Sequence, residues 1–433
     1  PDGLQPVLNL SIFLPGGLIT ETATNNGISA LTARMLTRGT AARSAEDIAR
    51  ATDELGASLS YSAERDAFRG RLHGLSADAP ALIELLADTL RNPTFPTNEL
   101  DKARRLALSS IRARKESWFR EAWDNFMEST YGDHPYSMCE EGRTDVVARL
   151  APEELAAYHT ALLQPDEMVI AVGGAVALDD VLPLLENAFG DLAASIPPLP
   201  RGGDVPAIEG TDVTTLDTPR EQATVILGYP APALTNDARY AHLVLEGYLG
   251  GFGGPVFRAL RGDDDLAYIA GSRPFFAREA GMIICIGQCA PANVPLVIEK
   301  LTDAVAKTAD TPLTPDQLAH AKNAVTVPHE LSRQRLSTRV TRAGRWAFLG
   351  KGADYDEQYA GKIKAQSPDA VADAAHSLDA WRCVVTSPRA PETMAAAFLA
   401  RFPDARPQDL YKAVLHGSEG PGHLGADTDA VRS

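Results

Sequence analysis

The run Thr94-Phe95-Pro96-Thr97-Asn98-Glu99-Leu100 has a counterpart far down the chain, Leu313-Thr314-Pro315-Asp316-Gln317-Leu318. Each sets a Thr or Pro ahead of an acidic first turn. That chemistry opens a helix by satisfying its free amides and complementing its dipole. The first helix runs on through Ala103 and Leu106, the second through Ala321 and Ala324, and the two prolines are 219 residues apart. A second pair repeats the relation. Ala151-Pro152-Glu153-Glu154-Leu155 leads to the apolar run Glu167–Gly173 (EMVIAVG), and Ser367-Pro368-Asp369-Ala370-Val371 leads to Arg382–Thr386 (RCVVT), with prolines 216 apart. Two independent matches at nearly one offset predict two copies of a unit of about 215 residues. Solenoid repeats are several-fold shorter, so this is a duplicated domain.

Between the copies lies Ser195–Gly210 (SIPPLPRGGDVPAIEG), whose Pro and Gly content marks a linker. The first copy has strand patterns at Val7–Leu14, Ser58–Glu64, Ala67–Leu72 and Met168–Gly173, and helix patterns at Gly27–Leu36, Ser44–Leu55, Ala81–Leu90 and Glu99–Glu116. The second has strands near Ala223–Gly228, Tyr268–Arg273 and Gly281–Gln288, and helices near Asp237–Leu249, Val294–Lys307 and Pro315–Arg335. Strands beside paired helices predict an α+β fold. The domains are placed at 1–200 and 205–415. The Gly- and Asp-rich stretch 417–433, with few apolar residues, is expected to be disordered.

The 433 residues carry 57 acidic against 41 basic side chains, a net charge of −16, and no Lys/Arg block, which argues against a nucleic-acid surface. No apolar run reaches the 18 or so residues of a membrane span. The first basic residue is Arg34, so Val7–Leu14 lacks the basic flank of a secretory signal; a trimmed N-terminus remains an open expectation. Few cysteines allow the cytoplasm and a removed leader would allow the periplasm, so the compartment is left between the two. A composition rich in Ala, Asp and Arg points to a bacterial source. Cys139, Cys285, Cys289 and Cys383 form no CxxC pair. Cys285 and Cys289 would stand ~13 Å apart along one strand, too far for a disulfide. Buried free thiols are expected.

HExxH, HxxEH, GxSxG and the P-loop are all absent, and no two of the nine histidines are three to five residues apart. A metal-binding helix needs ligands on one side, at i and i+4. Gly250-Gly251-Phe252-Gly253-Gly254 lacks the lysine and the preceding strand of a phosphate loop, and reads as a helix stop followed by a loop.

Ile226–Tyr268 (ILGYPAPALTNDARYAHLVLEGYLGGFGGPVFRALRGDDDLAY) resembles the second domain of the pitrilysin/insulysin/mitochondrial processing peptidase family of inverzincin zinc peptidases, where a helix ending in Leu-Gly-Gly precedes "LFxxLRexxGLAY". The Arg261 to Tyr268 spacing matches that family's Arg/Tyr pair; Asp265 departs from the usual Gly. Gly27–Thr40 (GISALTARMLTRGT) resembles the zinc-site run "GlxHxxEHmlfkGT", with Gly27, Met35-Leu36 and Gly39-Thr40 aligned. The first His is replaced by Ala30, the catalytic Glu by Ala33 and the second His by Arg34. Methyl groups neither ligate zinc nor accept a proton, and a guanidinium repels the cation. The third ligand would fall near Glu116 or Glu121.

The resemblance implies two homologous α+β domains, half of a clamshell peptidase, with the usual first strand absent upstream of Pro6. It implies no metal and no cofactor bound by this chain, with zinc in a homologous HxxEH-containing partner. Arg261 and Tyr268 are then the catalytic candidates, reaching that partner's zinc site to stabilise the oxyanion of a peptide bond. Such a chain is inactive alone and part of a zinc metalloendopeptidase when paired, acting on unfolded peptides held as an added strand. The alternative is a non-enzymatic core scaffold or peptide-binding subunit of a larger complex, which would not need the pair. Arg34 is expected to face solvent or to pair with an acid such as Glu121. His134 is read as structural, and Trp118, Phe119 and Trp123 as helix packing.

Overall fold

The computed structural model describes residues 6–193, 199–251, 253–262 and 265–388; the stretch expected to be disordered, 417–433, lies outside them. The first sheet contains β1 (Val7–Leu14), β2 (Ser58–Ala63), β3 (Phe68–Leu75) and β4 (Val169–Gly174). The second contains β5 (Thr211–Asp217), β6 (Ala223–Ala231), β7 (Ala267–Phe276), β8 (Gly281–Cys289) and β9 (Trp381–Ser387). The first runs β2-β3-β1-β4 and the second β5-β9-β6-β8-β7. Every pairing is antiparallel except β5 with β9. The order β2-β3-β1-β4 maps onto β7-β8-β6-β9, so the duplication read from helix openings is also a duplication of topology.

β5 was absent from the sequence reading. Its run TDVTTLD carries one deeply buried side chain, Val213 at 4% exposure, because it sits on an outer edge. The first sheet has no counterpart of β5 among the described residues, and β4 ends that sheet.

Alternation along each strand sends one set of side chains to a helix-covered core. Leu8, Leu10, Ile12 and Leu14 of β1 join Leu82, Leu86 and Leu100 of the covering helices, and Val225, Leu227 and Tyr229 of β6 join Val244, Val297 and Leu301. The helix starts are where the chemistry put them. Ser44 caps Ala45–Glu54 in a reciprocal box with Asp47, and Thr314 caps Pro315–Arg333 with Gln317. Cys285, Cys289 and Cys383 are buried and free, and Cys139 is half-buried and free.

The opposite faces are covered by exchange. Helix Trp118–Tyr131, from the first copy, lies on β6 and β9; helix Leu336–Phe348, from the second, lies on β1 and β4. Each crossing approaches so closely that a glycine is required. A Cβ on Gly228 of β6 would stand 2.4 Å from the Phe126 ring, and one on Gly344 would stand 2.8 Å from Phe13. Ala122, Phe126, Met127 and Tyr131 thereby enter a third apolar cluster with Ile226, Phe275, Met282, Ile284 and Val384.

Candidate functional site

The helix that would carry the metal ligands is Ile28–Met35. Its N-terminus is anchored by a side chain the sequence reading missed, Glu21, which is 2% exposed. Glu21 accepts from the Asn26 side chain (2.8 Å) and from the backbone N–H of Gly27 (2.8 Å) and Ser29 (2.9 Å). A carboxylate there complements the helix dipole, while burial pushes its pKa upward. The Ser29 hydroxyl lies 2.7 Å from the Tyr158 hydroxyl, which accepts from the Gly17 N–H at 3.2 Å. No periodicity marks Glu21, because it sits in a loop.

This rigidly held helix presents nothing to a metal. Ala33 is buried and Arg34 is exposed. Glu116 is exposed at the end of helix Thr97–Glu116, which puts Leu100, Ala103, Ala107 and Ile111 into the same apolar core as Ala33. Glu121 is taken: Arg220 Nε donates to it at 2.6 Å, so the pairing considered for Arg34 is replaced by one with Arg220. Among the described residues no group of three His, Cys, Asp or Glu is placed to hold a metal ion. Two methyl groups and a guanidinium do not fit zinc.

A cavity of about 780 Å3 opens beside the start of this helix, between Asn26 and the faces of helices Thr97–Glu116 and Trp118–Tyr131. Arg114 braces its wall, donating to both oxygens of Asp124 (2.7 and 2.6 Å) and to Glu141 (3.0 Å). The Cys139 thiol on the same wall is pushed up to about 12, chiefly by burial, and is no nucleophile at neutral pH.

Arg261 and Tyr268 come together at the outer edge of the second sheet. Arg261 ends helix Pro255–Arg261, and its Nη1 donates to the carbonyls of Ala267 (3.0 Å) and Tyr268 (3.2 Å). The pairing of β7 with β8 shifts between Ala267 and Ile269, leaving Tyr268 out of the ladder and 62% exposed. Arg261 thus holds the backbone that presents the phenol. Asp265, 3.6 Å from Arg261, has φ +40°, the left-handed conformation that explains why a Gly is the expected residue there.

The neighbouring readings follow suit. Gly250 ends helix Arg239–Leu249 as a stop. His134 is buried, accepts from the Tyr136 N–H at 3.2 Å and lies 3.2 Å from Glu279 of the second copy, a structural role. Trp123 packs against Phe126 and Phe275, and the Arg273 guanidinium lies over Phe119 and Trp123 at 4.4 and 4.5 Å.

Two paired α+β domains, with a metal-site helix stripped of its ligands, define a zinc-peptidase architecture without its metal centre. The chain belongs to the peptidase M16 family: the profile described as insulinase (peptidase family M16) matches residues 4–139, and that described as peptidase M16 inactive domain matches residues 149–325. A protein named as an uncharacterized zinc protease of Mycobacterium tuberculosis is 26% identical over 78% of this chain and 78% of its own length. Subunit 1 of the mitochondrial cytochrome b-c1 complex of Rattus norvegicus is 23% identical over 57% of this chain and 52% of its own. The crystal structure of a peptidase M16 inactive domain from Pseudomonas fluorescens superposes with a TM-score of 0.80 at 21% identity, covering 89% of this chain and 94% of that one. No helix among the described residues is long and apolar enough to cross a membrane.

Proposed function

We propose that this chain is the zinc-free subunit of a heterodimeric metalloendopeptidase. It would supply half of the peptide-binding chamber and the Tyr268 phenol to the zinc site of an HxxEH-bearing partner. The observation that carries the reading is the contrast between the two edges. The metal helix keeps its anchor but has Ala30, Ala33 and Arg34 where ligands and base belong, whereas Tyr268 is held out of its ladder by Arg261 and exposed. A phenol O–H aimed at a developing oxyanion is a donor preorganised for acyl transfer. Arg261 acts as the positioning residue for it.

The test is hydrolysis of a quenched peptide by an HxxEH homologue with and without this chain. Stimulation is expected, and Tyr268→Phe should lower kcat of the mixture by about 100- to 1,000-fold, in the range of losing one oxyanion donor, without weakening association. Stimulation that survives Tyr268→Phe intact would refute the shared site.

A second reading, a non-enzymatic scaffold or peptide-binding subunit, is favoured by two observations: the likeness to a cytochrome b-c1 subunit and the engagement of Arg261 with backbone carbonyls. Under it the mixture stays silent although the chains associate.

A further inference from the structure

We infer that the polar face of the first sheet, under the start of helix Leu336–Phe348, is a binding site for a small oxyanion, carried as a carboxylate or a phosphate. Strand registers set six polar residues in two cross-strand rows, Ser58–His73–Asn9 and Ser60–Arg71–Ser11. Alternation puts both rows on the face opposite the apolar core. The helix covers this face unevenly. At Gly344 it touches Phe13 and Ala171; about one and two turns earlier, Thr341 and Ser337 stand over the rows and leave a cavity of about 310 Å3. Floor and roof are joined where the Ser11 and Thr341 hydroxyls meet at 3.1 Å.

The lining has a consistent chemistry. No carboxylate lines the cavity, although the chain as a whole is strongly acidic. Five hydroxyls, an amide, an imidazole and a guanidinium do, together with Leu10 and Leu72. Asn9 and Ser11 are only 6% and 3% exposed, and His73 Nδ1 lies 3.1 Å from Asn9 Oδ1, which fixes the ring against the floor. Arg69, one position along the face, is matched by Glu64 at 2.8 Å, whereas Arg71 has no carboxylate partner among the described residues. An unmatched guanidinium beside hydroxyl and amide donors suits a planar or tetrahedral oxyanion, which accepts from groups of these kinds. Arg71 and His73 are exposed at the mouth of the cavity, within reach of an anion arriving from solvent, above a floor of buried Asn9 and Ser11. This site lies apart from both Tyr268 and the metal-helix relic and does not rest on the peptidase reading.

Calorimetric titration of the full chain with inorganic phosphate, and separately with succinate, at ionic strength held constant with chloride, tests the assignment. Saturable one-to-one binding of phosphate alone identifies a phosphate site, and of succinate alone a carboxylate site; binding of both identifies a general oxyanion pocket. In each case Arg71→Ala should weaken binding at least ten-fold while Arg38→Ala, an exposed control, leaves it unchanged. Ser60→Asp, which places a carboxylate in the cavity, should do the same as Arg71→Ala without removing a cation. No saturable binding of either anion, or binding that persists unchanged in folded Arg71→Ala and Ser60→Asp, would overturn the proposal.

Discussion

Asp265 holds φ at +40° in the turn between helix Pro255–Arg261 and β7. Asp tolerates that region better than most residues, and a β-branched side chain does not. Asp265→Val should therefore be about 1–2 kcal/mol less stable than Asp265→Gly in denaturant melts. Glu246, on helix Arg239–Leu249, titrates in the range that matters for assays. Burial raises its carboxyl from 4.5 to about 7, opposed by a hydrogen bond from Ser272. The folded chain holds this proton more tightly than the unfolded chain does. Its contribution to stability is complete below about pH 4.5 and is lost as pH rises through about 7. Glu246→Gln should flatten the pH dependence of stability across that window; an unchanged slope would place the titration elsewhere. Glu21→Ala would strand the Gly27 and Ser29 amides that the carboxylate now satisfies and should cost at least about 2 kcal/mol.

The crossed helices carry the coupling between the two copies. Phe126 is fully buried against Gly228 of the opposite sheet, so Phe126→Ala should cost about 3–5 kcal/mol. Gly344→Val should separate helix Leu336–Phe348 from Phe13 and Ala171 and expose the first sheet's outer face, measured as a lower and broader melt. These arms were the part of the fold hardest to read. Thr97–Glu116 and Pro315–Arg333 announce themselves by a proline at the opening and an acidic first turn, with a Thr314 cap on the second, but Trp118–Tyr131 and Leu336–Phe348 open with neither a proline nor a side-chain cap, and their apolar faces fit a sheet some hundred or more residues away. Local pattern says that a face is apolar, not what it covers. β5 escaped for a related reason, since an edge strand with one deeply buried residue has little alternation to show. The relic metal helix and the Arg261–Tyr268 spacing were legible because both sit in unbroken runs. The replacement of a Glu121–Arg34 pair by Glu121–Arg220 was not, because it depends on how the two copies dock.

The whole molecule combines a metal-site helix that has kept its anchoring network with side chains that exclude zinc, and a second domain that displays a phenol from a bulged sheet edge. Duplication explains how these coexist: each copy covers the other's sheet, so the first must stay folded for the second to present its edge, whatever becomes of the metal ligands. The account therefore predicts that losing chemistry at residues 30, 33 and 34 costs the fold nothing. Restoring Ala30→His, Ala33→Glu and Arg34→His should lower stability, because Ala33 is buried in the apolar core, and still fail to assemble a site, because Glu121 is held by Arg220. The most direct measurement is a titration of a fixed amount of an HxxEH homologue with this chain, following both peptide hydrolysis and zinc content of each separated subunit. The account predicts no zinc and no hydrolysis for this chain alone, and activity that saturates at a one-to-one ratio with all zinc in the homologue. Stoichiometric zinc in this chain, or hydrolysis by it alone, would contradict it.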